Sequence, residues 1–280
     1  MILQTSNDFG SAEPEGSLGE RKTVLITGAS AGIGYELAKR FAGGGYALVL
    51  VARDESALKR VAQELAVQYK AAVKIIAKDL SVPANAWDLY DELDRAGIAI
   101  DVLVNNAGFG VMGPFATTRV EKELAMMELH IVSLTYLTKL FLKPMLARGG
   151  GKILNVASTA AFLPGPFMAV YYASKAYVLS FSEALASEVC GSGVTVSVLC
   201  PGPTRTEFHR RAGMPTSGFF KRLAVDAAAV AAAGYEGLER GQIVIIPGFT
   251  NKILALGARL TPRAWGAAVI RWTQASRIKT

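Results

Sequence analysis

Seven short apolar runs, rich in β-branched residues, recur along the chain: Thr23–Thr27, Ala47–Val51, Val73–Ala77, Val102–Asn105, Lys152–Val156, Thr195–Leu199 and Ile243–Ile246. Their hydrophobicity is nearly continuous rather than alternating, as strands buried on both faces require. Between them lie stretches with apolar residues at helical spacing, at about 33–43, 54–69, 83–96, 119–147, 171–189 and 226–239. The first of these shows the pattern plainly in Ile33, Leu37 and Phe41. This alternation predicts an α/β fold: a single doubly wound domain over 21–250, its seven-stranded, mainly parallel sheet covered by helices on both faces through right-handed crossovers. Ligands of such sheets bind beyond the carboxyl ends of the strands, where the strand order reverses.

Three segments fall outside the alternation. Residues 1–20 are acidic and rich in Gly, Ser and Pro, and read as a mobile tail. Residues 203–225 are the longest stretch without a strong pattern and mix Phe208, Met214, Phe219 and Phe220 with several bases. A loop of that length is usually functional or disordered. Residues 251–280 read as two further helices, about 251–260 and 264–272, in a basic extension packed on the domain. Trp265, Val269 and Trp272 share one face of the second, the pattern of a core or subunit-interface stripe.

The 280 residues, 51% hydrophobic and 19% charged, suffice for one large domain with a well-buried core. Two cysteines, Cys190 and Cys200, belong to no metal-spacing motif; buried free thiols in a reducing, cytoplasmic compartment are the simplest expectation. His130 and His209 form no metal pattern. No secretory signal is expected at the start, and no apolar run approaches the roughly 18–20 residues of a spanning helix. The net charge of +7 sits wholly beyond Glu239, where Arg240, Lys252, Arg259, Arg263, Arg271, Arg277 and Lys279 occur with no acid. No nucleic-acid motif accompanies these bases. They leave open an anionic membrane surface, contacted weakly, an acidic carrier, or a solvated end.

Two constellations carry chemistry. Tyr171 and Lys175 lie one turn apart on one helix face, and an ammonium beside a phenol favours the phenolate, so the tyrosine is expected to titrate below its usual value near 10. Such a phenol can exchange a proton with a carbonyl or alcohol oxygen. Tyr172 points about 100° away and reads as a packing residue. Upstream, the turn Thr27–Gly34 joins a strand to a helix. Its glycines 28, 32 and 34 permit a tight turn and a close approach of the backbone to a pyrophosphate at the helix N-terminus.

With these motifs in this order, the chain resembles the classical short-chain dehydrogenase/reductase family over about residues 21–250. The resemblance implies a Rossmann-type sheet of order 3-2-1-4-5-6-7, a cofactor turn at Gly28, Ser30, Ala31, Gly32, Ile33 and Gly34, and an adenine contact at Asp79-Leu80. It further implies an Asn-Asn-Ala-Gly motif at Asn105–Gly108, with Asn106, Ala107 and Gly108 at the cofactor, and a nicotinamide-side turn at Pro201-Gly202, with Thr204 and Thr206 beyond it. Ser158, Tyr171 and Lys175 match the catalytic trio, Tyr171 and Lys175 also touching cofactor, and 203–225 matches the substrate lid. The implied reaction is hydride transfer between NAD(P)(H) and a carbonyl or secondary alcohol, in a homodimer or homotetramer. No metal is implied. Ala52 stands where the family usually carries the acid for the NAD ribose, and Arg53 follows. That favours NADP(H), with NAD(H) as the other choice, although Ala31 lacks the second base of some NADP-binding members. Many members carry an asparagine seven residues before a Leu-Thr pair; here the pair is Leu137-Thr138 and the residue is His130. It is either a packed helix residue or a substitute in the proton path. Lipophilic ketones and 3-oxoacyl compounds are the expected substrates. A non-catalytic dinucleotide sensor or interaction protein on the same fold is the competing class.

Overall fold

The computed structural model describes residues 21–206, 224–261 and 263–278. The N-terminal tail, and residues 207–223 of the segment matched to a lid, with His209 and the Phe and Met residues named above, lie outside these. The strands are β1 (Thr23–Thr27), β2 (Ala47–Ala52), β3 (Val73–Ala77), β4 (Val102–Asn105), β5 (Gly151–Val156), β6 (Val194–Leu199), β7 (Thr204–Arg205), β8 (Val225–Asp226) and β9 (Val244–Ile245). The helices are α1 (Gly32–Gly43), α2 (Glu55–Tyr69), α3 (Ala84–Arg95), α4 (Val120–Met127), α5 (Leu134–Ala147), α6 (Ala169–Glu188), α7 (Ala227–Glu239), α8 (Phe249–Leu260) and α9 (Arg263–Ile278).

Among the described residues, seven strands form one parallel sheet in the order β3-β2-β1-β4-β5-β6-β9. Successive side chains on each strand point to opposite faces, so each strand feeds two cores. Val24, Ile26, Leu48, Leu50 and Val104 pack against Leu37 and Phe41 of α1, Leu58 and Leu65 of α2, and Val230 and Leu238 of α7. Leu25, Val49, Leu103, Ile153 and Val196 meet Leu89 and Leu93 of α3, Phe141 and Met145 of α5, and Leu185 of α6. Asp54 starts α2: its carboxylate accepts a hydrogen bond from the Ala57 N–H at 2.9 Å, a cap worth about 1 kcal/mol.

Four features depart from the sequence reading. First, the helix about 119–147 is interrupted by a π-helical stretch, Glu128–Ser133, which turns both His130 and Ser133 into the core. Second, Val120–Ala147, whose most apolar 18-residue stretch has a mean hydropathy of 1.2, is by length and composition alone long and apolar enough to cross a membrane, although no unbroken apolar run within it reaches that length. Here Leu134, Leu137, Phe141 and Met145 are buried in the protein. Third, β7 and β8 form a small parallel pair that joins the two described ends of the 203–225 segment. Fourth, Cys200 is buried but Cys190 is exposed on the turn after α6.

A polar thread crosses the otherwise apolar interior. Asn105 and Asn155 are register partners in β4 and β5. Asn105 Nδ2 donates to Asn155 Oδ1 at 2.9 Å and to Thr138 Oγ1 of α5 at 3.0 Å. Asn155 Nδ2 donates to Ser182 Oγ of α6 at 2.9 Å. All four residues are buried. Asn155→Ala would leave one of the two N–H groups of the Asn105 amide buried without a partner, so we expect a loss of about 1–3 kcal/mol in unfolding free energy. Urea denaturation checks this; a loss below a few tenths of that range would mean that water replaces the lost partner.

Candidate active site

The turn after β1 is built around Gly28, whose φ of +67° is left-handed and whose place cannot hold a side chain: a Cβ there would sit 2.8 Å from the Ala107 Cα. A Cβ on Gly34 would collide with the Gly28 carbonyl oxygen. Thr27 Oγ1 accepts from the Asn106 and Ala107 N–H groups, both at 3.0 Å, and Asn106 Nδ2 donates to the Thr27 and Gly28 carbonyls at 2.9 and 3.1 Å. The loops after β1 and β4 are thereby locked together. Helix α1 begins at this lock with Ala31 at its N-cap, no side-chain cap and no acid in its first turn. Its N–H groups and dipole therefore remain suited to an anion.

A cavity of about 280 Å³ opens along the carboxyl edge of the sheet. One part is lined by Gly28, Ser30, Ala31, Gly32, Ile33, Asn106, Ala107 and Gly108, the other by Ser158, Tyr171, Lys175, Pro201, Gly202, Thr204 and Thr206. Five segments far apart in sequence therefore meet at one opening. Ser158 stands at the start of a short 3₁₀ turn, Thr159–Phe162, and its Oγ accepts from the Ala160 N–H at 3.1 Å. Lys175 Nζ donates to the Val156 carbonyl at 2.9 Å and lies 5.9 Å from the Tyr171 ring centre.

A family model described as short chain dehydrogenase matches residues 22–215. The chain belongs to the short-chain dehydrogenase family. Two relatives and two solved structures show the range of similarity. "Uncharacterized oxidoreductase YvrD" of Bacillus subtilis is 36% identical over 67% of this chain and 70% of its own length. "Very-long-chain 3-oxoacyl-CoA reductase" of Anas platyrhynchos is 35% identical over 67% of this chain and 61% of its own. A short-chain dehydrogenase from Sphingobium yanoikuyae in complex with NADPH is 35% identical, with a TM-score of 0.77 over 85% of this chain and 93% of that one. A short-chain dehydrogenase/reductase from Burkholderia phymatum in complex with NAD is 27% identical, with a TM-score of 0.75 over 86% and 92%.

The electrostatics of this dehydrogenase differ from the sequence expectation. Burial pushes the Tyr171 phenol up to about 12, against a hydrogen bond with Ser158 that acts the other way. Burial likewise pushes Lys175 down to about 8. The spacing of four residues does place the two groups together, but loss of hydration is the largest cause of both shifts.

Five residues from the sequence set do not line the cavity: Gly34, Arg53, Asp79, Leu80 and His130. Gly34 acts on the turn from behind. Arg53 follows β2 and lies 3.7 Å from Asp79 after β3. Burial opposes ionisation of Asp79, yet hydrogen bonds from Ser81 and the Arg53 charge together hold its carboxyl below the usual range. Leu80 is buried, and its carbonyl accepts from Ser133 Oγ at 2.6 Å. His130 is buried with both ring nitrogens engaged. Nε2 accepts from the Phe109 N–H at 3.1 Å, which leaves Nδ1 to donate to Ser174 Oγ at 3.0 Å, and Ser174 Oγ donates to the Tyr171 carbonyl at 2.8 Å. Burial, then the Lys175 charge, hold this imidazole well below its ordinary value, and thus neutral.

Sequence reasoning missed two cavity residues of note. Tyr172 packs its ring over Gly165, as a packing residue would, but also lines the cavity. Gln274 of α9 is buried, lines the same cavity and donates from Nε2 to the Tyr172 hydroxyl at 3.0 Å, across 102 positions of sequence.

The depressed Lys175 has a consequence for stability. Its folded value of about 8 lies below the unfolded value of 10.5. Between the two, the unfolded chain holds the extra proton, so this group makes stability rise with pH across that window and imposes a constant cost below it, of about 3 kcal/mol. We expect Lys175→Met to be at least as stable as wild type at pH 7, with the difference shrinking from pH 8 to 10.5. Thermal unfolding at several pH values tests this; a less stable variant with a gap independent of pH would show that burial does not penalise the ammonium.

Proposed function

We propose that this protein is an NADP(H)-dependent reductase of lipophilic ketones or 3-oxoacyl-type substrates. The observation that carries the reading is that Ser158, Tyr171 and Lys175 open into the same cavity as the glycine turn. The residues fit a dinucleotide. Gly28 and Gly32 line the cavity beside the uncapped α1 N-terminus, an arrangement that suits a pyrophosphate. The nicotinamide cofactor, when bound, supplies the hydride. Tyr171 donates the proton to the substrate oxygen, and its raised value keeps the phenol protonated at neutral pH. Ser158 holds the same oxygen as negative charge develops on it. Lys175 stabilises the phenolate left behind and bonds the cofactor ribose. His130 acts one step back: it ties the Phe109 loop to α6 and so positions Tyr171.

Arg53 supports the choice of NADP(H). Its pair with Asp79 is exposed, and such pairs contribute little, so the guanidinium can turn to a 2′-phosphate at small cost. Phe109, Met168 and Tyr172 in the cavity wall favour an apolar substrate. The likeness to a 3-oxoacyl-CoA reductase agrees with that class. Val120, Leu124, Val132, Tyr136 and Tyr177, all exposed on α4 to α6, fit a homodimer or homotetramer.

Two experiments test the reading. Tyr171→Phe is expected to lower turnover of a ketone panel by about a thousandfold or more, with cofactor binding retained, while Tyr172→Phe keeps most of its turnover. An active Tyr171→Phe enzyme would reject the assignment. Arg53→Ala is expected to weaken NADPH by about tenfold or more and to leave NADH nearly unchanged. Equal losses in a parallel fluorescence titration would remove Arg53 from the phosphate site.

A further inference from the structure

The stripe Trp265, Val269 and Trp272, expected to pack as core or interface, faces outward: the three are 70%, 59% and 77% exposed. Helix α9 instead meets the body through its opposite side, where Gly266 lies so close to Leu163 that a Cβ would sit 2.6 Å from a Leu163 methyl, and where Gln274 is buried. Helix α8 is arranged alike. Asn251 and Ala255 are buried inward, while Phe249, Ile253, Leu256 and Leu260, at spacings of four, three and four, are exposed together with Leu254. Two consecutive helices thus direct eight large apolar side chains away from the protein. Scattered single apolar residues on a surface need no explanation; a grouping of this size marks an interaction site.

Charge selects the partner. Helices α8 and α9 contain Lys252, Arg259, Arg263, Arg271 and Arg277 and no acid. A second copy applied through this face would bring Lys252 and Arg271 of both copies together, with no acid on either helix to pair them. A lipid surface bearing negative headgroups satisfies both properties: tryptophan and leucine enter the headgroup and acyl boundary while the bases meet phosphate. Tryptophan is the side chain that such an interface favours, because one end is apolar and the other can hydrogen-bond.

We propose that α8 and α9 form a docking surface for anionic lipid bilayers. The protein lies on the membrane through this pair. The inference does not rest on the catalytic reading, since the face is on the outer side of the helices.

The test uses the full chain and two kinds of vesicle, phosphatidylcholine alone and phosphatidylcholine with roughly a third phosphatidylglycerol, at physiological salt, where charges are screened beyond about 8 Å. Co-sedimentation is expected with the anionic vesicles and to be at least about tenfold weaker with the neutral ones. Trp265→Ser/Trp272→Ser, at exposed positions, is expected to lose binding about tenfold or more while keeping its circular dichroism and cofactor binding. Lys252→Gln/Arg271→Gln, also exposed, is expected to reduce the preference for anionic vesicles by about tenfold and covers the case in which the tryptophan variant misfolds. Absence of wild-type binding to anionic vesicles would overturn the proposal. So would unchanged binding by both variants. A fall in oligomer mass in the tryptophan variant, seen by analytical ultracentrifugation, would also overturn it, because the face would then be covered by a second copy.

Discussion

Asn105 and Asn155 face each other across β4 and β5 in an interior that is otherwise apolar, and the site is suspended from that pair. Asn105 leads directly into the loop of Asn106, Ala107 and Gly108. Asn155 stands three residues before Ser158. Ser182, which receives the Asn155 amide, lies two turns beyond Lys175 on the same helix. One network therefore fixes the three segments whose relative placement decides whether Tyr171, Ser158 and Lys175 can act on one atom. A shift of register by one residue would turn both amides to the other face of the sheet and leave their polar atoms buried without partners. The penalty makes the network a device for register rather than a large source of stability.

The site itself works against stability. Lys175 is an ammonium with little access to water, held by the Val156 carbonyl, and Tyr171 loses hydration as its phenol is enclosed. The hydrophobic sheet supplies the stability that these groups consume. Gly28 and Gly34 contribute differently. They supply no side-chain contact, and their value lies in the room they leave to the Ala107 backbone and to the Gly28 carbonyl.

Much of this was legible in the sequence. A strand buried on both faces needs continuous hydrophobicity, so all seven sheet strands could be read to within a residue or two, and motifs that follow strands had to converge on one edge. What could not be read has definite causes. The π-helical stretch at Glu128–Ser133 adds no compositional mark, so the two hydrogen-bond partners of His130, a residue the sequence left open between packing and the proton path, were invisible. The tyrosine–lysine spacing revealed proximity, but the sign of each pKa shift depends on burial, which spacing does not contain. Periodicity identified an apolar stripe on α9 without saying which side of the helix meets the protein. The side with Gly266 prevailed because a missing Cβ lets the backbone come close to Leu163. Gln274 reaches Tyr172 across 102 positions, and no local signal announces such a contact.

Helix α9 carries two faces back to back, with Gln274 against the cavity and Trp272 two positions away toward the outside. Gln274 is more than a filler, since its Oε1 accepts no hydrogen bond among the described residues and a ligand with a donor group could satisfy it. A single helix is stiff over two turns, so what moves one face moves the other. Thermodynamic reciprocity then applies: if a surface held by Trp272 alters the affinity of the cavity for a polar-ended ligand, that ligand must alter affinity for the surface by the same factor.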